Sequence, residues 1–367
     1  MSNFWNNLPR PFMVLAPMAD VTDAAFRRMI VKYSAHERTD GTVGGPDVMW
    51  TEFVAADGLM RATPEGKVKL MTDLIYSEEE RPIIAQLFSS HPEYMEQAAA
   101  LCLELGFDGV DINMGCPDKS IEKQGCGSAM IKTPEIAAAV IRAAKRGAKS
   151  DEGGIPVSVK TRIGYNHDQV EEWIPAILAV RPAALTVHAR IRKDLSKVPA
   201  RWERLIRIVE LRNEISPQTR IIGNGDILSM EDAENKIRET GVDGAMVGRA
   251  MFGNPWFFNP NKRLPTKLTA LPTHGVNRDT IIVNDTTDTA VEYVTLPERL
   301  LVLVEHSHLF TELLPHKNFA VMKKHYKAYV HGFPGAVELR TKLMECNTPA
   351  EVEVVVHAFL ANPHTTV

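Results

Sequence analysis

Apolar residues along this chain gather into short runs that stop abruptly at polar ones. Residues 12–16 read Phe-Met-Val-Leu-Ala and are closed by Pro17-Met18-Ala19-Asp20, and residues 83–88 are apolar apart from Gln86. The run 101–110 ends in Asp111-Ile112-Asn113-Met114-Gly115-Cys116-Pro117, where glycine permits close backbone approach and proline fixes the exit. Short apolar runs bounded by turn residues predict buried strands. Five more are predicted at 48–53, 156–160, 184–187, 220–223 and 244–247.

Between these runs the apolar spacing becomes helical. Thr22 stands where it would cap a helix over 23–33, His91-Pro92-Glu93 opens one to Leu105, and Thr133-Pro134-Glu135 opens one to Arg146 with proline at its first position. Residues 34–47 and 124–129 are polar or glycine-rich and read as loops. Eight strands alternating with helices over roughly 240 residues predict an α/β fold, a (β/α)8 TIM barrel. A doubly wound sheet is the competing architecture, but the first strand lacks its GxGxxG turn. Past Pro260 the pattern changes. Residues 261–297 are rich in Thr, Asp, Asn and Pro, with one apolar run at 281–283, and read as an irregular connector. Helical spacing resumes at Leu300, Leu303 and Val304, predicting a small helical bundle over 298–367 behind a catalytic domain of 1–260.

Composition narrows the class. With 44% hydrophobic and 24% charged residues the chain is ordinarily globular, and no apolar run of about 18 residues exists to cross a bilayer. The four cysteines form no CxxC pair and no zinc spacing, so reduced thiols, a cytoplasmic location and no structural metal are expected. A net charge of −4 means that any nucleic-acid binding must come from a local patch. One such patch is 315–331, where Lys317, Lys323, Lys324 and Lys327 are interleaved with Phe319, Tyr326 and Tyr329 and no acidic residue intervenes. Phosphates would take the lysines, and the rings could stack on unpaired bases.

Candidate chemistry collects at the C-terminal ends of the predicted strands, where barrel enzymes build their sites. These ends carry Asn113 and Cys116, Lys160 and Arg162, His188, Asn224-Gly225-Asp226, and Gly248-Arg249. Gln86, an amide inside an apolar strand, is odd, because a buried polar group without a partner costs about 1–3 kcal/mol. The glycine-bearing ends of strands seven and eight stand where such barrels bind phosphate through backbone N–H groups. A thiol, a lysine, a histidine and an asparagine around a phosphate site, with neither a Ser/His/Asp set nor a carboxylate pair, suit a phosphate-bearing cofactor rather than hydrolysis.

Taken together, Pro17-Met18-Ala19-x-Val-Thr-Asp, Gln86, Asn113-Met-Gly-Cys116-Pro, Lys160-Thr-Arg162, His188-Ala-Arg190, Asn224-Gly225-Asp226-Ile and Gly248-Arg249-Ala resemble the tRNA-dihydrouridine synthases. Lys323-Lys-His325-x5-His-Gly-Phe-Pro-Gly-Ala-x-Glu-Leu-Arg resembles that family's helical tRNA-binding domain. The resemblance implies an FMN enzyme that reduces the 5,6 double bond of particular uridines in tRNA, with NADPH recharging the flavin. Pro17, Met18 and Ala19 would line the flavin ring, and Gln86 and Lys160 would bond its polar edge. Asn224, Gly225, Asp226, Gly248 and Arg249 would hold ribityl and phosphate. Cys116 would supply the proton to C5 after hydride reaches C6. Asn113, Arg162 and His188 would grip the base, His188 also bordering the cofactor, while Lys323, Lys324 and Lys327 would bind tRNA. The implied protein is a cytoplasmic monomer with no membrane or metal partner. Cys126, in a glycine-rich loop, is the competing acid, but the family pattern places the acid in Gly-Cys-Pro. Two other functions compete: a flavin barrel acting on a free pyrimidine, like a dihydroorotate dehydrogenase, which leaves the basic tail without purpose, and an RNA-binding protein without redox activity, against which intact Cys116 and Lys160 count.

Overall fold

A computed structural model describes residues 3–265 and 291–361. Eight parallel strands, β1 (Phe12–Leu15), β2 (Met49–Trp50), β3 (Ile83–Phe88), β4 (Gly109–Met114), β5 (Val157–Arg162), β6 (Ala184–His188), β7 (Arg220–Asn224) and β8 (Gly244–Val247), pair in chain order, and β8 returns to β1. The edge between β1 and β2 closes through a parallel bridge from Val14 to Val48, with Leu15 N donating to Val48 O at 3.1 Å. The (β/α)8 TIM barrel expected from the sequence is the fold.

Successive side chains of a strand point to opposite faces. Phe12, Val14, Ala16, Val48, Trp50, Ile84, Ala184, Ile222 and Met246 occupy alternate positions and form one buried cluster with Trp5. Two residues further along the same strands come Gln86, Thr186, Asn224 and Gly248, so the interior changes from apolar to polar toward the strands' C-terminal ends. Register carries this polar layer round the barrel: Asn113 lies beside Lys160, Lys160 beside Thr186, and His188 beside both Arg162 and Asn224. At the opposite rim three aspartates lock the stagger. Asp47, Asp108 and Asp243 each stand just before a strand and accept an N–H from the first or second residue of its neighbour, from Met13, Ile83 and Ile221, each at 2.8 Å.

Contacts divide the chain into two units, Met1–Asp23 with Pro46–Arg249 and Ala24–Gly45 with Ala250–Val367. The sequence-based boundary at 260 puts the first helix in the barrel domain. In the structure that helix, Ala24–Ser34, belongs to one unit with the C-terminal helices Leu296–Leu313, Lys323–Tyr329, Ala336–Glu345 and Pro349–Ala361, and it packs on the first two of them. Phe26 lies against the rings of His306 and His325, and Tyr33 donates to Glu305 Oε2 at 2.6 Å. Buried Arg299 donates to Ala328 O at 3.0 Å and His331 O at 3.2 Å, closing the C-terminal end of Lys323–Tyr329.

Several local readings change. Residues 34–47 contain an antiparallel pair, His36–Glu37 with Val43–Gly44, around a turn at Asp40-Gly41. Helices Ala56–Arg61 and Pro64–Thr72 had no counterpart in the sequence reading. Thr22 turns its hydroxyl back to accept Met18 N at 2.8 Å, holding the Pro17–Thr22 turn. The first half of the apolar run 101–110 belongs to helix Pro92–Glu104 rather than to β4. Within the connector, Lys262–Arg263 pairs in parallel with Glu292–Tyr293, and the run 281–283 lies outside the described residues.

Candidate active site

The turn that presents Cys116 is held from three sides. Asn113, the last inward residue of β4, accepts the N–H groups of Gly115 at 3.1 Å and Cys116 at 2.9 Å on Oδ1. From β5, Arg162 Nε donates to Gly115 O at 2.7 Å, and Thr161 Oγ1 donates to Met114 O at 3.0 Å. Downstream, Ser128 donates both N–H and Oγ–H to Cys116 O, each at 2.9 Å. Gly127, at φ +59°, makes this return possible, because an added Cβ would stand 2.7 Å from Cys116 O.

The two thiols differ in access. Cys116 is half-buried, and burial raises its pKa, so Sγ keeps its proton at neutral pH. Cys126 is buried beside Phe88 and Ile121, and burial pushes its thiol up to about 11.

Cations crowd the same mouth. Lys160 Nζ donates to Asn224 Oδ1 at 3.2 Å, and Asn224 Nδ2 donates to Met246 O at 2.8 Å. Burial, with Arg162 nearby, lowers Lys160 to about 8. Arg162 bonds backbone carbonyls rather than carboxylates: Gly115, Leu195 at 3.1 Å and Ile191 at 3.4 Å. Burial lowers it to about 10, which still leaves it charged at neutral pH. An arginine must donate, so the 3.1 Å contact from Arg190 makes His188 Nε2 an acceptor and leaves the proton on Nδ1. Burial and the neighbouring Arg162 and Lys160 charges hold His188 neutral.

Asp226, a non-glycine at φ +49°, collects Arg190, Ala200 N at 2.9 Å and Arg249 at 2.6 Å. Burial opposes its ionisation, but the bonds from Arg190 and Ala200 outweigh it and keep the carboxyl below its usual range. Gly225, at φ +127°, gives its carbonyl to Trp202 Nε1 at 2.7 Å, and an added Cβ would stand 2.8 Å from Ala200 Cβ.

The mouth thus brings together Cys116, Asn113, Gln86, Lys160, Arg162, His188, Asn224, Gly225, Asp226 and Arg249. Pro17 and Met18 sit half-buried and Ala19 exposed in the turn after β1. Gly248 lies against Met18. Gln86 and Asn113 spend much of their bonding capacity inside the barrel: Asn113 Nδ2 donates to Gln86 Oε1 at 3.0 Å, and Gln86 Nε2 donates to Asp111 Oδ2 at 2.7 Å. Lys323, Lys324 and Lys327 belong to the other unit, on helix Lys323–Tyr329, with Lys324 and Lys327 exposed and Lys323 half-buried. The base-stacking role expected of that helix is not open to Tyr326 and Tyr329, which are buried in the bundle.

Sequence reasoning passed over Asp111, Ser158 and Trp202 and gave Arg190 no role. Strand parity is the signal for the first two. Asp111 precedes Asn113 by two on β4, and Ser158 precedes Lys160 by two on β5, so all four share the inner face.

A family model described as dihydrouridine synthase (Dus) matches residues 14–363. A protein of Staphylococcus aureus (strain COL) named probable tRNA-dihydrouridine synthase is 34% identical over 362 residues, covering 98% of this chain and 96% of that one. One of Bacillus subtilis (strain 168), named probable tRNA-dihydrouridine synthase 2, is 35% identical over 358 residues, covering 97% and 96%.

Proposed function

This chain belongs to the dihydrouridine synthase family, and from that premise we propose that it is an FMN-dependent, NADPH-driven tRNA-dihydrouridine synthase. The observation that carries this reading is a protonated, half-buried thiol at Cys116 within a mouth whose neighbouring strand end carries two cations, half-buried Lys160 and buried Arg162. The donor set fits an anionic, phosphate-bearing group. Among the described residues Lys160 and Arg162 have no carboxylate in ion-pair contact, and Asp111 and Asp194 offset their charges only from a distance. At Gly248 an added Cβ would meet only Met18 Sδ at 3.4 Å and Ala16 Cβ at 3.6 Å, so the backbone there is open to close approach.

When bound, FMN reduced by NADPH supplies the electron pair that saturates the uracil at C6. Pro17, Met18 and Ala19 would border its ring, Gln86, Lys160 and His188 its polar edge, and Asn224, Gly225, Asp226, Gly248 and Arg249 its ribityl phosphate. The remaining chemistry belongs to side chains. Reduction at C6 places negative charge on uracil O4 and C5, and a preorganised cation lowers the energy of that charge. Arg162 is such a cation, tied by three carbonyls and unable to turn away. Cys116 then transfers its Sγ proton to C5, and Lys160 and Arg162 favour the thiolate left behind. The target uridine must leave its base stack to reach this depth. Lys323, Lys324 and Lys327 would hold the tRNA backbone.

Cys116→Ala tests the assignment. The variant should stay yellow and oxidise NADPH at the parental rate, while dihydrouridine formation in tRNA falls by about 10²-fold or more, the usual scale for a general acid. Normal product yield would remove Cys116 from the role.

A further inference from the structure

We propose that Asp111 is a positioning residue for the Cys116 turn, acting through a hydrogen-bond relay of fixed direction that runs Ser158, Asp111, Gln86, Asn113, Cys116. Each link is short, and all but the last, from half-buried Cys116, are buried. Ser158 Oγ donates to Asp111 Oδ1 at 2.6 Å, Gln86 Nε2 to Asp111 Oδ2 at 2.7 Å, and Asn113 Nδ2 to Gln86 Oε1 at 3.0 Å. The Cys116 and Gly115 N–H groups close the line on Asn113 Oδ1. Ser158, Asp111 and Gln86 are at most 1% exposed, so no water substitutes for a lost partner.

The direction is set independently from both ends. Backbone N–H groups can only donate, so Asn113 must present its oxygen to the turn and its NH2 to Gln86. An ionised carboxylate can only accept, so Gln86 must present its NH2 to Asp111 and its oxygen to Asn113. The two requirements agree at the Gln86–Asn113 contact. A side-chain amide has nearly the same shape either way round, so without an anchor at one end the pair could invert. Inversion would aim the Asn113 NH2 at the N–H groups of Gly115 and Cys116 and push the turn off its seat. Asp111 is therefore not a spare buried acid. It makes one orientation of two amides right and thereby holds the thiol's backbone where Arg162 and Ser128 also grasp it. The catalytic consequence rests on Cys116 being the proton donor; the geometric claim does not.

The test is a reversal of the relay with isosteric substitutions, read by thermal midpoint and by the rate at which iodoacetamide alkylates Cys116, quantified on the tryptic peptide. Asp111→Asn alone keeps an oxygen for Gln86, so it should leave the alkylation rate at the parental value and should not lower the midpoint. Asn113→Asp alone places an acceptor at each end of Gln86, so one contact is always wrong. It should lower the midpoint and change the alkylation rate by about tenfold, the scale of coupling between bonded neighbours. The double variant Asp111→Asn with Asn113→Asp lets the whole line run backwards and should restore both readouts. Restoration should vanish when Gln86→Leu is added, whereas simple relief of carboxylate repulsion would survive it. Equal effects of Asn113→Asp with Asp111 or with Asp111→Asn would overturn the relay, as would restoration that persists without Gln86. Because neither readout uses tRNA or turnover, failure here is separable from failure of the proposed activity.

Discussion

At the scale of single residues the mouth is governed by buried groups whose ordinary solvation has been removed. Lys160 faces an amide oxygen, and burial brings its ammonium down to about 8. An anionic ligand favours the charged form, so proton loss and ligand loss are linked. Apoprotein should bind FMN more weakly as pH rises through about 8, and Lys160→Met should bind weakly with little pH dependence. Flavin fluorescence titrations at pH 7 and 9.5 check this, and equal affinities for the parent protein would contradict it.

Asp111 shifts the other way. Burial raises its carboxyl to about 6 against the bonds from Gln86 and Ser158, so the native state holds a proton that the unfolded chain gives up near 3.8. Native stability therefore falls as pH rises between those values and stays lower above 6. Asp111→Asn should be indistinguishable from the parent near pH 4 and more stable by pH 7, by about 1–3 kcal/mol. Urea unfolding at the two pH values measures the difference.

Elements show how far strand ends depend on the turns that follow. The Cys116 turn is completed by the short helix Gly127–Lys132, whose first residue admits no side chain. Gly127→Ala should destabilise the fold by about 1–3 kcal/mol in urea and lower dihydrouridine yield, because strain at a positive φ adds to the contact with Cys116 O. The barrel was legible because parallel strands covered on both faces read as continuous apolar runs, each stopping at a polar residue. Gln86 stood out as the one amide in its run and is part of the buried relay. Asp111 did not stand out, because it is one of two polar residues in a strand that runs straight into Gly115-Cys116-Pro117, and only parity sorts inward from outward. Helix Pro64–Thr72 buries no residue at all, so it carries no apolar stripe for periodicity to find. The pair around Asp40-Gly41 was announced by its turn dipeptide, but its strands are only two residues each.

On the scale of the whole molecule, a chain of net charge −4 must present RNA with a local basic surface. On helix Lys323–Tyr329 the exposed lysines are Lys324 and Lys327, while its tyrosines hold the bundle together. Replacing both lysines by glutamine should weaken tRNA binding across sequences and reduce the slope of log affinity against log salt by about 0.7–0.9 per lost phosphate contact. FMN content should not change. Filter binding over a salt series gives the slope, and an unaltered slope would place the tRNA contact elsewhere.

The helix Ala24–Ser34 has partners from the far end of the chain: Lys32 and Tyr33 bond Glu305, and Lys32 is 273 positions away from it. Ribosomes add roughly 5–20 residues each second. A nascent chain therefore carries this amphipathic segment, Phe26 included, for a good part of a minute before the residues that will cover it have been made. Through that interval the face that Phe26 turns to His306 and His325 lacks its native cover, whereas the C-terminal helices find the first helix already waiting.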